Sequence, residues 1–148
     1  SMGNGSAIRP GEWQYMSAGT GVAHSEFNNS ETTPVHLLQI WIEPAVTGIA
    51  PEYEEKHFDA ASKRGRLRLI GSSDGRDGSV TIHQDAAVYA ALLDGAEHAT
   101  YALAPGRKAY VHVARGAVSV NGRALNAGDA VKLSGERGRI DSGTVLSD

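Results

Sequence analysis

Short runs of alternating apolar and polar residues, separated by glycine-bearing turns, recur along most of this chain. In "EWQYMSA" (12–18), Trp13, Tyr15 and Ser17 share one face while Gln14, Met16 and Ala18 share the other, the period-2 signature of a strand. The same strand character is expected to run on through "VAHSEFN" (22–28). The most apolar run, "PVHLLQIWIEP" (34–44), is rich in β-branched and aromatic residues and bounded by proline at both ends, which predicts a buried strand. Residues 45–65 lose the rhythm: "TGIAPEYEEKHFDAASKRG" is polar, carries Pro51 and has no clean period. It reads as a linker, with a domain boundary near residue 50.

Beyond it the alternation returns in "RLRLIGS", "GSVTIHQDAAVYAALL", "HATYALA", "KAYVHVARGAVSVNGRALNAGDAVKLSG" and "RGRIDSGTVLSD". Asn121-Gly122 between two such runs is the strongest short-range hairpin signal, and Ala127-Gly128-Asp129 marks a further turn. "AAVYAALLDG" (86–95) is the best helix candidate, although its alternation also suits a strand. Strands every 8 to 12 residues predict an all-β protein, a barrel or sandwich. The polar, glycine-rich opening SMGNGSAIRP reads as a turn or linker.

Composition narrows the function classes. The chain of 148 residues is 41% hydrophobic and 21% charged, the balance of a folded globular protein. Fourteen basic against 17 acidic residues give a net charge of −3, with no basic stripe along the chain, so no direct nucleic-acid partner is expected. Without cysteine there are no disulfides and no thiol chemistry, which fits a reducing cytoplasm. No apolar run is long enough to span a membrane and no leader is evident. Eighteen glycines against five prolines, most of them between the apolar runs, reinforce the many-turned antiparallel reading.

"GTGVAHSEFN" (19–28) opens like a nucleotide loop, but His24 stands where the third glycine belongs and the residues that follow cannot start a helix before Pro34. No GK[ST] follows any glycine loop. His24 and Glu26 have a different logic. In an extended strand, residues i and i+2 face the same way with Cα atoms about 6.5 to 7 Å apart, so an imidazole and a carboxylate can converge on one cation. That donor pair suits iron, manganese, nickel or zinc rather than calcium. On spacing alone, the reading as two surface residues near a turn prevails. "DGRDG" (74–78) fails the calcium-loop pattern, with Arg76 at loop position 3 and Gly78 at position 5, and reads as a tight turn. His36, sharing a face with Leu38 and Ile40, reads as a core or edge histidine. His83 shares a face with Asp85, His112 alternates with Tyr110 and Ala114, and neither they nor His98 complete a site. No nucleophile elbow or triad order is present.

"PGEWQYMSAGTGVAHSEFN", "VHLLQIWIEP", "GIAPEYEEKHFD" and "DGRDGSVTIHQDAAVYAALL" together resemble the pirin family, in particular bacterial pirin-like proteins with quercetin 2,3-dioxygenase activity, a branch of the cupin superfamily. The opening "SMGNGS" resembles the turn that precedes these strands in the family. The resemblance implies tandem cupin (double-stranded β-helix, jelly-roll) barrels. Residues 1–49 would be the back part of a first, metal-site barrel, and residues 50–148 a complete second barrel without metal. It also implies a divalent metal (iron, manganese, nickel, zinc or copper) held by a His-x-His pair on an early strand together with the two residues matched by His24 and Glu26. Glu26 would be both ligand and candidate base. No His-x-His occurs in these residues, and the N-terminal third of the family pattern has no counterpart here. Ala109, seven residues before Gly116, stands where a cupin places its glutamate, in keeping with a metal-free second barrel. The resemblance therefore implies a flavonol-cleaving parent, with this chain weak in metal and inactive alone. The alternatives are a non-enzymatic interaction scaffold, as in pirins acting as transcription cofactors, and a stable remnant without activity. Strand edges left unpaired at residues 11–43 predict a homo-oligomer.

Overall fold

A computed structural model of the chain describes residues 5–135 and 137–142. Residues 1–4 of the expected opening turn and the end of the last apolar run, from 143 onward, lie outside the described residues. The regular elements are almost all strands, β1 to β11, with one short helix. The chain divides into two compact units, one of Ser1–Phe58 with Leu69–Val88 and one of Asp59–Arg68 with Tyr89–Asp148.

In the first unit, β1 (Glu12–Ser17) pairs antiparallel with β2 (Glu52–His57), from Glu12 opposite His57 to Ser17 opposite Glu52. Residues 52–57 are therefore a strand and not a linker. Their run of charged side chains hides the period of the strand. The short helix α1 (Ala60–Lys63), which belongs to the second unit, follows in the chain, capped by the Asp59 side chain, which accepts from the Ser62 N–H at 2.7 Å. Next come β3 (Arg68–Ser72), a 3-10 turn at Arg76–Gly78, β4 (Val80–Thr81) and β5 (Ala87–Ala90), in the sheet order β4-β3-β5. The first unit's core is Phe58, Leu69, Ile70, Val80 and Ile82, each at most 6% exposed. Two buried hydroxyls inside it, Ser72 and Ser79, satisfy each other at 2.7 Å. "DGRDG" is the tight turn expected: Asp74 accepts from Ser72 Oγ and Arg76, and Gly75 takes a left-handed φ of 66°. "AAVYAALLDG" contributes a strand at Ala87–Ala90 rather than a helix; its alternation prevailed over its alanines.

Two segments depart from expectation. "VAHSEFN" forms no strand, and "PVHLLQIWIEP" is neither a strand nor buried. Val35, Leu37, Leu38, Ile40 and Trp41 are between 48% and 88% exposed, and His36 is exposed with them. The pattern is that of a strand, yet no strand among the described residues runs beside it to complete the ladder.

The second unit is built from β6 (His98–Ala102), β7 (Lys108–His112), β8 (Ala117–Val120), β9 (Arg123–Asn126), β10 (Ala130–Ser134) and β11 (Arg137–Ser142). They form a four-stranded sheet, β6-β11-β8-β9, and a two-stranded sheet, β10-β7. Asn121 and Gly122 join β8 to β9 with φ of 51° and 81°, the left-handed pair a two-residue hairpin requires. The turn at 127–129 is also as expected: Gly128 has φ 89°, and the Asp129 carboxylate accepts from the Asn126 N–H at 2.9 Å. Val113, Val120, Leu125 and Leu133 form the core, flanked by Leu103, Ala109, Val111, Val118 and Val131. Among the described residues, no helix is long and apolar enough to cross a membrane.

Candidate metal centre

The glycines of "GTG" serve the backbone, not a phosphate. Gly19 has φ +50°, and a Cβ built there would sit 2.2 Å from the Ile49 carbonyl oxygen. Only glycine allows that approach, and it lets the Thr20 N–H donate to Ile49 O at 2.9 Å. Gly21, also at positive φ, donates its N–H to Ala18 O at 2.7 Å and closes the turn. The chain is tied again at 28–33, where Asn28 Nδ2 donates to Thr33 O and Ser30 Oγ accepts from the Thr33 N–H. His24 and Glu26 lie between these two ties, on a stretch outside the strands.

Their side chains converge. His24 Nε2 and Glu26 Oε1 are 4.0 Å apart, and the two side chains are 44% and 42% exposed. Metal–donor bonds for this class of ion are about 2.0–2.2 Å, so two donors on one cation stand between roughly 3 and 4 Å apart. The pair fits such an ion as two of its ligands, after a small adjustment of exposed rotamers. It fits as no more than that: no cluster of three or more metal-ligating side chains occurs among the described residues.

A second imidazole–carboxylate pair was not legible in the sequence. His83 Nε2 lies 2.7 Å from Glu52 Oε2, with His83 the less exposed partner. Pattern reading placed His83 with Asp85 and left Glu52 in a linker. Only the antiparallel β1–β2 pairing gives residue 52 a fixed direction. His98 and His112 are exposed and join no cluster.

Glu54 illustrates how charge is spent locally on structure. Its carboxylate is bonded to Lys56 Nζ at 2.7 Å and to the Thr81 N–H at 3.0 Å, and Lys56 also donates to Ser79 O at 2.7 Å. The Lys56 hydrogen bond, then the Thr81 N–H, hold the Glu54 carboxyl below the usual carboxylate range, against a smaller opposing effect of partial burial.

Residues 1–42 match the family described as Pirin, and residues 69–142 match the Quercetinase C-terminal cupin domain. Quercetin 2,3-dioxygenase of Escherichia coli K12 is 41% identical over 137 residues, covering 93% of this chain and 58% of that protein. A pirin-like protein of Caulobacter vibrioides is 40% identical over 139 residues, covering 92% of the chain and 59% of its own length. The crystal structure of YhhW from Escherichia coli superposes with a TM-score of 0.87 at 41% identity, over 96% of this chain and 60% of that one. The nickel(II) complex of the same bacterial pirin gives 0.85 at 39% identity, over 95% and 60%. The chain thus spans under two thirds of the length of the relatives it matches. The all-β, cupin reading of the sequence is borne out, and the chain belongs to the pirin family of cupin proteins.

Proposed function

We propose that the full two-cupin protein is a divalent-metal dioxygenase acting on flavonols, and that His24 and Glu26 supply two of its metal ligands. The observation that carries this reading is the convergence of an imidazole and a carboxylate to 4.0 Å on a stretch tied at both ends. A relative 41% identical bears the name quercetin 2,3-dioxygenase, and a solved pirin holds nickel(II). When bound, such a metal polarises and orients substrate oxygen atoms. His24 would bind through its Nε2 lone pair, which requires the neutral ring. Glu26 has two carboxylate oxygens, so one can bind the metal while the other accepts the proton of a substrate hydroxyl. Residues 1–49 would belong to the metal-bearing cupin and 50–148 to the metal-free one.

These 148 residues alone supply two donors, and water would complete the coordination. Weak metal binding and little flavonol cleavage are therefore expected of them. The test compares this chain with one carrying, upstream, the corresponding segment of the Escherichia coli relative with a His-x-His pair. Metal content and oxygen uptake with quercetin are measured on both. The extended chain should gain both, and His24→Ala or Glu26→Gln in it should remove them. Full activity in the short chain, or activity in the extended chain indifferent to both substitutions, would sink the assignment.

One observation favours a second reading, an interaction scaffold: the apolar run from Val35 to Trp41 is exposed. A long, apolar, unpaired segment of strand character suits association with another chain, including a second copy.

A further inference from the structure

Charge is not spread evenly over this chain. By sequence count the first unit holds three basic and ten acidic residues, net −7, and the second holds eleven and seven, net +4. The whole-chain value of −3, which argued against a nucleic-acid partner, averages over this segregation.

Within the basic unit, the two-stranded sheet β10-β7 has two sharply different faces. Ala109 and Val111 of β7 and Val131 and Leu133 of β10 pack with Val113, Val120 and Leu125. Strand alternation sends Lys108, Tyr110 and His112 of β7, and Ala130, Lys132 and Ser134 of β10, to the opposite face, and all six are exposed. Tyr110 stands at the centre, 65% exposed, directly across from Lys132, with Lys108 and His112 two residues to either side. No acidic residue lies among the six. No side chain of Lys108, Tyr110, His112 or Lys132 has a hydrogen-bond or ion-pair partner among the described residues.

An exposed aromatic ring between two unneutralised lysines, on a unit of net positive charge, combines the elements that hold single-stranded nucleic acid: a stacking platform and cations for the backbone. We propose that this face docks a single-stranded polynucleotide, one base stacking on Tyr110 while Lys108 and Lys132 meet the adjoining phosphates. An acidic peptide would use the lysines but leave the ring idle. A duplex would keep its bases stacked away from the ring.

The test is fluorescence anisotropy of a labelled oligothymidylate titrated with the 148-residue chain at about 50 mM and about 200 mM salt. Tyr110→Ala should weaken binding at least about tenfold, as loss of one stacked base does. Tyr110→Phe should retain it. The logarithm of affinity should fall against the logarithm of salt with a slope of about −1.4, two lysines at roughly −0.7 each, and Lys132→Gln should remove about half of that slope. All these side chains are exposed, so an unchanged melting temperature separates loss of binding from loss of fold. Absence of binding at low salt overturns the proposal, and so does binding indifferent to Tyr110→Ala. Displacement by polyglutamate as effective as by unlabelled oligothymidylate would assign the face to acidic peptides instead.

Discussion

Glu54 shows what a single carboxylate does in this fold. Both of its oxygens are used, one on Lys56 and one on the Thr81 N–H, so it ties β2 to the end of β4. Its proton affinity is lowered in the folded state, so its contribution is fully present above the ordinary glutamate value and is lost as pH falls through the lower folded one. Glu54→Gln should therefore cost stability at pH 7, by about 1 kcal/mol or less because the pair is about one third exposed and water screens it. The gap between parent and variant should close on acidification, as followed by denaturant midpoints at pH 7 and about pH 3.5. An equal gap at both values would mean that shape and not charge is responsible. At this scale the sequence was legible where partners are near neighbours. His24 and Glu26 are two residues apart, and the convergence that this spacing suggested is seen at 4.0 Å. His83 and Glu52 are 31 residues apart, and nothing local announces their contact.

Among elements, the turns were the most readable, because the residues that demand a special backbone are the turn residues themselves. Gly19 and Gly122 both sit at positive φ, but their surroundings differ. A Cβ at Gly122 meets nothing within 4 Å, whereas at Gly19 it meets the Ile49 carbonyl at 2.2 Å and the Ala50 backbone at 3.0 Å. Gly122→Ala should thus cost only the left-handed penalty of about 1–2 kcal/mol. Gly19→Ala adds a collision with backbone, which cannot rotate away as a side chain would, and should cost several kcal/mol in all, on the order of two or three such penalties. It should also release the Thr20 N–H from Ile49 O, visible as faster amide exchange at Thr20 while the β8–β9 hairpin is unaffected. Equal losses of melting temperature for the two variants would show that Gly19 is needed only for its φ. The strand at 52–57 was less readable, since Glu52, Glu54, Glu55 and Lys56 mask its period. The run at 34–44 was misread for a different reason. Hydrophobic alternation specifies that a segment can be buried, but the neighbour that buries it is a property of other residues.

For the whole molecule, that same run sets the behaviour in solution. Phe27, Val35, Leu37, Leu38, Ile40, Trp41 and Val46 are all at least 48% exposed within twenty residues, with Trp41 at 88%. Monomeric proteins rarely leave so much apolar surface together in water, and backbone groups along a segment of strand character invite pairing with another chain. The 148-residue chain is therefore expected to self-associate, and two driving forces compete to explain it. Opposite charge on the two units, −7 and +4, would join copies by attraction that salt screens within about 8 Å at physiological ionic strength. Burial of the apolar run would be insensitive to salt. At roughly 25 cal/mol per Å² of apolar surface, the larger of these side chains each contribute on the order of 1.5–3 kcal/mol if fully covered, while exposed ion pairs give at most about 1 kcal/mol apiece. The apolar run should win. Light scattering should find a dimer or larger species whose mass persists when about 0.5 M salt is added, and Leu38→Asn with Trp41→Asn should shift the chain to monomer without lowering its melting temperature, since neither residue is buried. Dissociation by salt alone would transfer the association to the charged units, and a monomer at high concentration would show that this surface is tolerated in water after all.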